Sequence, residues 1–100
     1  MYARVTTGRM QPGTTEELMP FFAAAAHQQQ GMPGFVSAQL LIDRTAHTFL
    51  VVTVCASLAD LEASGSVPRQ LLADPRVAAA LAGPPVIAIY EVAVQLAAMR

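Results

Sequence analysis

The chain has 100 residues, a formal net charge of −1 and a composition that is 54% hydrophobic but only 13% charged. This length is typical of one domain with one hydrophobic core, so we expect a single domain over residues 1–100. The six basic residues form neither a stripe nor a cluster, and this pattern argues against nucleic-acid binding.

The apolar content exceeds what the interior of so small a chain can hold. Charged residues usually make up about 25% of a soluble domain, and much of the apolar content of this chain is alanine. Apolar residues beyond the core must lie in a subunit interface or in a ligand pocket. The composition therefore predicts a homodimer.

No segment has the pattern of a targeting or membrane sequence. The N-terminus MYARVTT lacks the apolar run of about 7–15 residues of a signal peptide, and each apolar stretch is interrupted before the roughly 18 residues of a membrane helix. The single cysteine, Cys55, cannot form an internal disulfide, as is usual in a reducing compartment. We therefore expect a cytoplasmic protein that contacts no membrane.

Residues 2–7 predict the first strand, because they are rich in aromatic and β-branched types and precede a Pro-Gly break. The first helix follows, since Thr14 and Glu17 have the spacing of a capping box. An apolar stripe then runs down to a QQQG stop, and it consists of Leu18, Phe21, Phe22 and Ala25. Pro20 should kink this helix unless the helix restarts there.

The runs Phe35–Asp43 and Thr48–Cys55 predict an antiparallel hairpin, because both are β-rich and only the loop RTAH separates them. The second run contains FLVVTVC, which shows no clean alternation of apolar and polar residues. Such a pattern is typical of a sheet that is covered on both faces. We expect helices on one face and the sheet of a second subunit on the other.

The remaining residues predict helices followed by a strand. Ser57 and Asp60 start a second helix, Asp74 and Pro75 start a short one that stops before residues 83–84, and residues 85–94 form the last strand. The order is βαββαβ, which favours a ferredoxin-like α+β fold. Such a fold has a four-stranded antiparallel sheet with helices on one face.

Residues 33–64, PGFVSAQLLIDRTAHTFLVVTVCASLADLEAS, resemble the antibiotic biosynthesis monooxygenase-like family, and a weaker likeness extends over residues 2–94. The likeness is carried by PGF before the second strand, DR at the hairpin, and SLADL with AS in the second helix. It implies a dimeric α+β barrel, in which the sheets of two subunits face each other. It also implies a small cavity between each sheet and its own helices.

The resemblance implies more than one activity, because some family members oxidise aromatic phenols or quinols with O₂ and no cofactor, whereas others degrade haem. Many members end the third strand with Trp and Glu, but this chain has Cys55 and Ala56 there and contains no Trp. Haem-degrading members use an Asn, a Trp and a haem-ligating His. This chain has no Asn and no His after His47, so haem degradation is disfavoured.

Two functions stay open at this point. The first is a cofactor-independent monooxygenase that acts on a small aromatic substrate of the phenol or quinol type in the cavity. It needs an apolar pocket, a base or hydrogen-bond partner for the phenol, and exclusion of water. The second is a non-enzymatic homodimer that binds a small ligand or has a structural role, and the missing Trp and Asn favour it. An open cavity with convergent polar groups would favour the enzyme. A cavity filled by side chains would favour the non-enzymatic homodimer.

His27 and Arg4 are the candidate catalytic residues. His27 lies near the end of the first helix and could act as a general base near neutral pH, although a solvent-exposed structural role is the simpler interpretation. Arg4 is a charge within the first strand, so it needs a partner. The simpler interpretation pairs Arg4 with Glu91 on the last strand, and the sharper one has it polarise a bound phenolate or carboxylate.

The candidate ligand-binding residues lie on strands or on the first helix: Tyr90, Thr53, Phe22 and Cys55. Residues of these types more often fill a core or an interface. His27 and His47 have no Cys or carboxylate at ligand spacing, and the glycines match no phosphate or dinucleotide motif. We therefore expect neither a metal ion nor a cofactor.

Overall fold

The computed structural model describes residues 1–99, which form four antiparallel strands with helices packed on one face. In chain order the elements are β1 (Tyr2–Arg9), α1 (Thr15–Gln30), β2 (Phe35–Asp43), β3 (Thr48–Cys55), α2 (Leu58–Ala63), α3 (Ser66–Ala73), α4 (Pro75–Ala80) and β4 (Val86–Glu91). The strands lie in the order β2-β3-β1-β4. This is the ferredoxin-like arrangement, so the predicted fold class is confirmed.

The hairpin has the predicted bounds, and its loop is held by Asp43. One carboxylate oxygen of Asp43 accepts hydrogen bonds from the backbone N–H groups of Thr45 and Ala46, each at 3.0 Å. His47 then takes a φ of 56°, a left-handed conformation that turns the chain into β3. These local bonds explain why the sequence alone locates the loop.

The last strand is shorter than the predicted 85–94. β4 pairs only with β1, and the final pair joins Glu91 to Tyr2. Beyond this pair, the carbonyl of Met1 accepts one more hydrogen bond, from the N–H of Val92 at 2.9 Å. The strand therefore ends where its pairing with β1 ends.

The sequence predicted two helices after β3, but the structure has three. The missed helix is α3, whose N-cap residue is Gly65. No side chain makes a capping hydrogen bond at the start of this helix. It therefore lacks the usual start signal of a Ser, Thr, Asp or Asn cap. Its stability comes from packing, since Val67 is buried against its neighbours.

Two predicted helix starts are correct. The Ser57 hydroxyl accepts a hydrogen bond from the backbone N–H of Asp60 at 3.1 Å, which caps α2. The Asp74 carboxylate accepts one from the backbone N–H of Arg76 at 2.9 Å, which caps α4. Each bond satisfies one of the free donors at a helix start.

The capping box predicted at Thr14 is wrong. The Thr14 hydroxyl donates to the carbonyls of Gln11 at 2.7 Å and Ala80 at 3.2 Å, instead of accepting a bond from the helix. Ala80 is the last residue of α4, whose terminal carbonyls need donors. Thr14 therefore joins the start of one helix to the end of another, a role that no local spacing reveals.

Helix α1 is continuous from Thr15 to Gln30 and contains Pro20, so the helix does not restart at Pro20, and the kink expected there stays a prediction. Proline cannot donate the backbone bond to the carbonyl of Glu16. Both residues are exposed, which leaves that carbonyl open to solvent.

Within residues 1–99, no helix is long and apolar enough to cross a lipid bilayer.

The hydrophobic core lies at the hairpin end of the sheet. The rings of Phe22 from α1 and Phe49 from β3 pack at a centroid distance of 5.2 Å and a tilt of 46°. The same cluster is completed by buried Met10, Leu18, Val77 and Ala80. At the opposite end of the sheet, Cys55 and Leu61 form a second buried region.

The other face of the sheet is apolar and is not covered within residues 1–99. One row of paired residues across this face comprises Leu41, Leu50, Thr7 and Val86. Leu41 is 48% exposed and Val86 is 65% exposed. The sequence predicted that a second subunit covers this face, and that stays a prediction.

Gly34 lies at the contact between the start of β2 and the start of α2. It has a φ of +77°, and a Cβ atom at this position would overlap the Asp60 carboxylate. That carboxylate is held in place by a hydrogen bond from the Ser57 hydroxyl at 2.8 Å. The carbonyl of Gly34 also accepts a hydrogen bond from the N–H of Ala56 at 2.7 Å, so the contact leaves no room for a side chain.

We expect Gly34→Ala to lower the free energy of unfolding by about 2–4 kcal/mol, because left-handed strain of about 1–2 kcal/mol adds to the overlap with Asp60. Gly13→Ala is the matched control, since Gly13 has a φ of +84° and its Cβ would meet nothing within 4 Å. The free energy of unfolding of the control should fall only by the left-handed strain of about 1–2 kcal/mol. Urea denaturation of both variants measures the difference, and equal losses would contradict the role of Asp60.

Candidate functional site

A cavity of about 430 Å³ lies between the middle of the sheet and helices α1 and α3. Small-molecule sites usually enclose about 300–1,000 Å³, so this volume suits a ligand of modest size. The wall is mostly apolar, and its larger apolar side chains are Met19, Phe22, Leu40, Ile42, Val51 and Leu71.

The cavity exists because α1 presents small side chains to the middle of the sheet. The helix contains four consecutive alanines at positions 23–26, and Ala23, Ala25 and Ala26 line the cavity. On one side Phe22 and Phe49 fill the space between helix and sheet. The alanines carry no bulk to fill the middle, so a pocket remains beside the core.

Arg4 contributes a buried guanidinium to the cavity wall. The residue is 6% exposed, and its Nη2 donates to the carbonyl of Leu61 and to the hydroxyl of Ser64, the latter at 3.1 Å. Its Nη1 has no hydrogen-bond partner among residues 1–99. The two ion pairs found in the same residues do not include Arg4. A positive charge is therefore held by neutral oxygens alone.

The predicted pairing of Arg4 with Glu91 is wrong. Strands β1 and β4 do pair, but the register sets Glu91 opposite Tyr2 and Ile89 opposite Arg4. Glu91 is exposed at the end of the last strand, whereas Arg4 contacts α2. A prediction of adjacent strands could not supply this register.

Burial lowers the pKa of the Arg4 guanidinium from its ordinary value, because the charged form loses hydration. Cys55 acts in the opposite direction, and the neighbouring positive charge of Arg69 lowers the pKa further. An arginine guanidinium still keeps its proton in proteins. Arg4 is therefore a cation near neutral pH.

A neutral polar pair lies beside Arg4. Thr53 is opposite Arg4 in the pairing of β1 with β3, and its hydroxyl donates to Gln29 Oε1 at 3.4 Å. Both residues are buried and line the cavity. The amide oxygen of Gln29 is thus in use, and its amide N–H groups remain as donors for a ligand.

Gln29 was missed by the sequence analysis, which treated QQQG only as a helix stop. A usable signal was present, because Gln29 follows Phe22 by seven residues and so lies on the same helix face. Thr6 was also missed, although it follows Arg4 by two residues on a strand and therefore shares its face.

The structure brings four of the six predicted site residues to the cavity: Arg4, His27, Phe22 and Thr53. His27 is exposed, so it lies at the rim. Tyr90 is 57% exposed on the outer face of β4, and Cys55 is buried at the end of β3, so neither lines the cavity. A role in binding or catalysis stays a prediction for all six.

The titratable groups of the cavity wall, Arg4 and His27, are both basic types, and the wall formed by residues 1–99 includes no Asp or Glu. In the same part of the chain, no group of three or more His, Cys, Asp or Glu side chains is arranged to hold a metal ion. The electrostatic character of the cavity therefore comes from Arg4.

No protein-family model matches the chain, and a search of curated proteins finds no match. Solved structures do match. A putative antibiotic biosynthesis monooxygenase from Caulobacter crescentus is 26% identical, with a TM-score of 0.76 over 94% of this chain and 90% of that one. The fold is that of the antibiotic biosynthesis monooxygenase-like proteins. The predicted resemblance to this family is confirmed.

Two further neighbours of the antibiotic biosynthesis monooxygenase-like fold carry more specific descriptions. SnoaB, a cofactor-independent oxygenase from Streptomyces nogalater, is 19% identical, with a TM-score of 0.76 over 95% of each chain. MhuD, a heme-degrader from Mycobacterium tuberculosis, is 24% identical, with a TM-score of 0.73 over 97% of this chain and 100% of that one. At these identities the likeness establishes the fold, which hosts different reactions.

Arg4→Met tests whether Arg4 is retained for stability. The carbonyl of Leu61 still accepts a bond from the Ser64 hydroxyl at 2.7 Å, so the variant orphans no acceptor there. Because the variant removes a buried charge without a counter-ion, we expect the free energy of unfolding to be unchanged or raised by about 1–4 kcal/mol. Urea denaturation of the ligand-free protein measures this. A loss above about 2 kcal/mol would indicate that the hydrogen bonds of Nη2 outweigh the cost of burial.

Proposed function

We propose that this protein is a cofactor-independent monooxygenase that oxidises a small aromatic molecule of the phenol or quinol type in the cavity beneath α1. The observation that carries the proposal is an open apolar cavity on which a few polar groups converge, namely Arg4, Thr53 and Gln29. This is the arrangement expected of a site that binds an apolar body and orients one polar substituent.

The proposed reaction needs few chemical groups from the protein. A ring carbon para to the phenolic oxygen gains one oxygen atom from O₂ and becomes a carbonyl. The substrate loses two hydrogens, one from this carbon and one from its hydroxyl, and they leave with the second oxygen atom as water. The substrate supplies the electrons, so no separate reductant is needed. The protein binds the ring against apolar side chains, excludes water, and stabilises the deprotonated oxygen that makes the ring electron-rich.

Arg4 and His27 have different roles in this proposal. Arg4, a buried cation of the cavity wall, stabilises the negative charge of the substrate oxygen. His27 at the rim accepts the proton, because a neutral imidazole can act as a general base. A water molecule can link the rim to the substrate when the two are too far apart for direct transfer.

SnoaB supports the proposal, because it has the same fold and is described as a cofactor-independent oxygenase. MhuD suggests haem as a substrate. The residues do not fit haem degradation as the family resemblance describes it, since this chain has neither Trp nor Asn. A non-enzymatic ligand-binding protein is the alternative, and the same missing residues favour it.

Oxygen uptake with anthrone and quinol substrates tests the reaction. We expect the wild-type protein to accelerate uptake over the buffer rate, and Ala26→Phe to lower the acceleration at least tenfold because its ring occupies the cavity. Ala24→Phe is the matched control, since Ala24 lies on the same helix but does not line the cavity. No acceleration by the wild-type protein would favour the non-enzymatic alternative, and equal effects of the two variants would exclude this cavity as the site.

We further propose that the protein is a homodimer in which two sheets face each other. The support is the uncovered apolar face, where Val5, Leu50 and Val52 occupy the central strands. A concavity of about 580 Å³ at one end of this face includes Leu41, Leu50 and Val86. Exposed apolar surface of this kind is typical of an interface.

Val86→Lys tests the dimer. Val86 points to the uncovered face, and a lysine buried there in a dimer would weaken association. Ile87→Lys is the matched control, because Ile87 is 46% exposed on the same strand but points to the opposite face. Analytical ultracentrifugation should show a wild-type dimer, at least tenfold weaker association for Val86→Lys, and little change for Ile87→Lys. A wild-type monomer or equal effects would contradict the interface.

A further inference from the structure

Residues 92–99 follow β4 as an exposed apolar segment without secondary structure. The segment reads VAVQLAAM and carries no charge, and Val94, Leu96 and Met99 are 78%, 89% and 97% exposed. Its first residues keep the alternation of a strand, because Val92, Val94 and Leu96 fall on one side of an extended chain. Single apolar residues are normal on a surface, but several in one short segment indicate a contact that residues 1–99 do not provide.

The segment leads away from its own sheet. β4 ends at Glu91, opposite Tyr2 at the start of β1. Beyond that pair the structure has one more hydrogen bond, from the N–H of Val92 to the carbonyl of Met1. The chain would have to turn to come back, yet residues 92–99 include no Gly, Pro, Asn, Asp or Ser, the residues that favour turns. We therefore expect the segment to stay extended and to contact a second molecule.

A concave apolar surface lies at the other end of the uncovered outer face. This concavity of about 580 Å³ has an apolar floor to which Leu41, Leu50 and Val86 contribute. Val86 begins β4, so the concavity is about 17 Å from Glu91, where the segment leaves the sheet. A segment that extends away from the concavity does not fill it in the same chain.

The sheet face alone is small for an interface. Four strands about 4.8 Å apart, each of about eight residues, give a flat area of about 500 Å². Specific interfaces bury about 800 Å² on each partner. The side chains of residues 92–99 add apolar area when they pack on a second copy, and they do so without burying a charge.

We propose that residues 92–99 of each copy of the chain pack into the concavity of a second copy, with Val94 and Leu96 on its apolar floor. This inference rests on the proposed homodimer, because it assigns the segment of the partner that covers part of the outer face. A two-fold axis perpendicular to the strands permits the contact, since it sets the Glu91 end of one sheet beside the Val86 end of the other. Both copies then make the same contact.

Leu96→Asp tests the contact. A carboxylate on an apolar floor loses its hydration, so we expect the variant to associate at least about tenfold more weakly than the wild type in analytical ultracentrifugation. Gln95→Asp is the matched control, because it places the same charge on the opposite side of the extended segment, and it should weaken association less than about threefold. Both residues are exposed in the single chain, so neither variant should alter its folding.

Cross-linking identifies which chain supplies the segment. Cys55→Ala removes the one cysteine of the chain, and Val86→Cys and Leu96→Cys are then combined and treated with a short bis-maleimide. We expect a covalent dimer on denaturing gels. The control combines Leu96→Cys with Gln28→Cys, which is exposed on α1, and should stay monomeric. Each variant with a single cysteine should also stay monomeric, because the two-fold axis sets like residues at opposite ends.

A cross-linked monomer in which both cysteines are consumed would show that the segment folds back on its own chain, and it would overturn the inference. A wild-type dimer with equal effects of Leu96→Asp and Gln95→Asp, or without the covalent dimer, would overturn the inference and keep the proposed homodimer. A wild-type monomer would overturn both. Oxygen uptake tests the cavity on the other face of the sheet, so its result is separate from all of these.

Discussion

The contact on which the site depends is the one between Arg4 and the end of α2. It joins a central strand to the helix layer, because Nη2 binds the carbonyl of Leu61 and the hydroxyl of Ser64. Both oxygens are neutral, so the contact positions the guanidinium without neutralising it. The positive charge in the cavity wall therefore has no ion-pair partner among residues 1–99. A salt bridge at this position would have neutralised it.

Such a contact is a poor way to stabilise a fold. Burial of a cation among neutral oxygens costs hydration that a few hydrogen bonds only partly return. The shift of the Arg4 pKa to lower values reflects the same cost. Positions where a protein departs from good local chemistry are often functional, and Arg4 is the clearest such position in residues 1–99.

The two faces of the sheet differ in what lies against them, because helices pack on the inner face and the outer face is uncovered within residues 1–99. On the inner face, Phe49 belongs to the core while Arg4 and Thr53 line the cavity. On the outer face, apolar residues alternate with these along the same strands, as the pleat requires. Strand β3 is apolar on both faces at Phe49 and Leu50, but its inner face is polar at Thr53. The run FLVVTVC therefore shows no clean alternation of apolar and polar residues.

What the sequence by itself determined is local. The hairpin bounds follow from β-rich runs and the Asp43 loop, and the caps at Ser57 and Asp74 bond to N–H groups two or three residues away. The βαββαβ order of the elements then predicted the ferredoxin-like sheet. The tertiary structure alone decided the partner of Arg4, since Leu61 is 57 residues away, and it also decided the second bond of Thr14. The physical reason is that pattern and capping act within a few residues, whereas a buried polar side chain takes the partner that strand register and helix packing bring within reach.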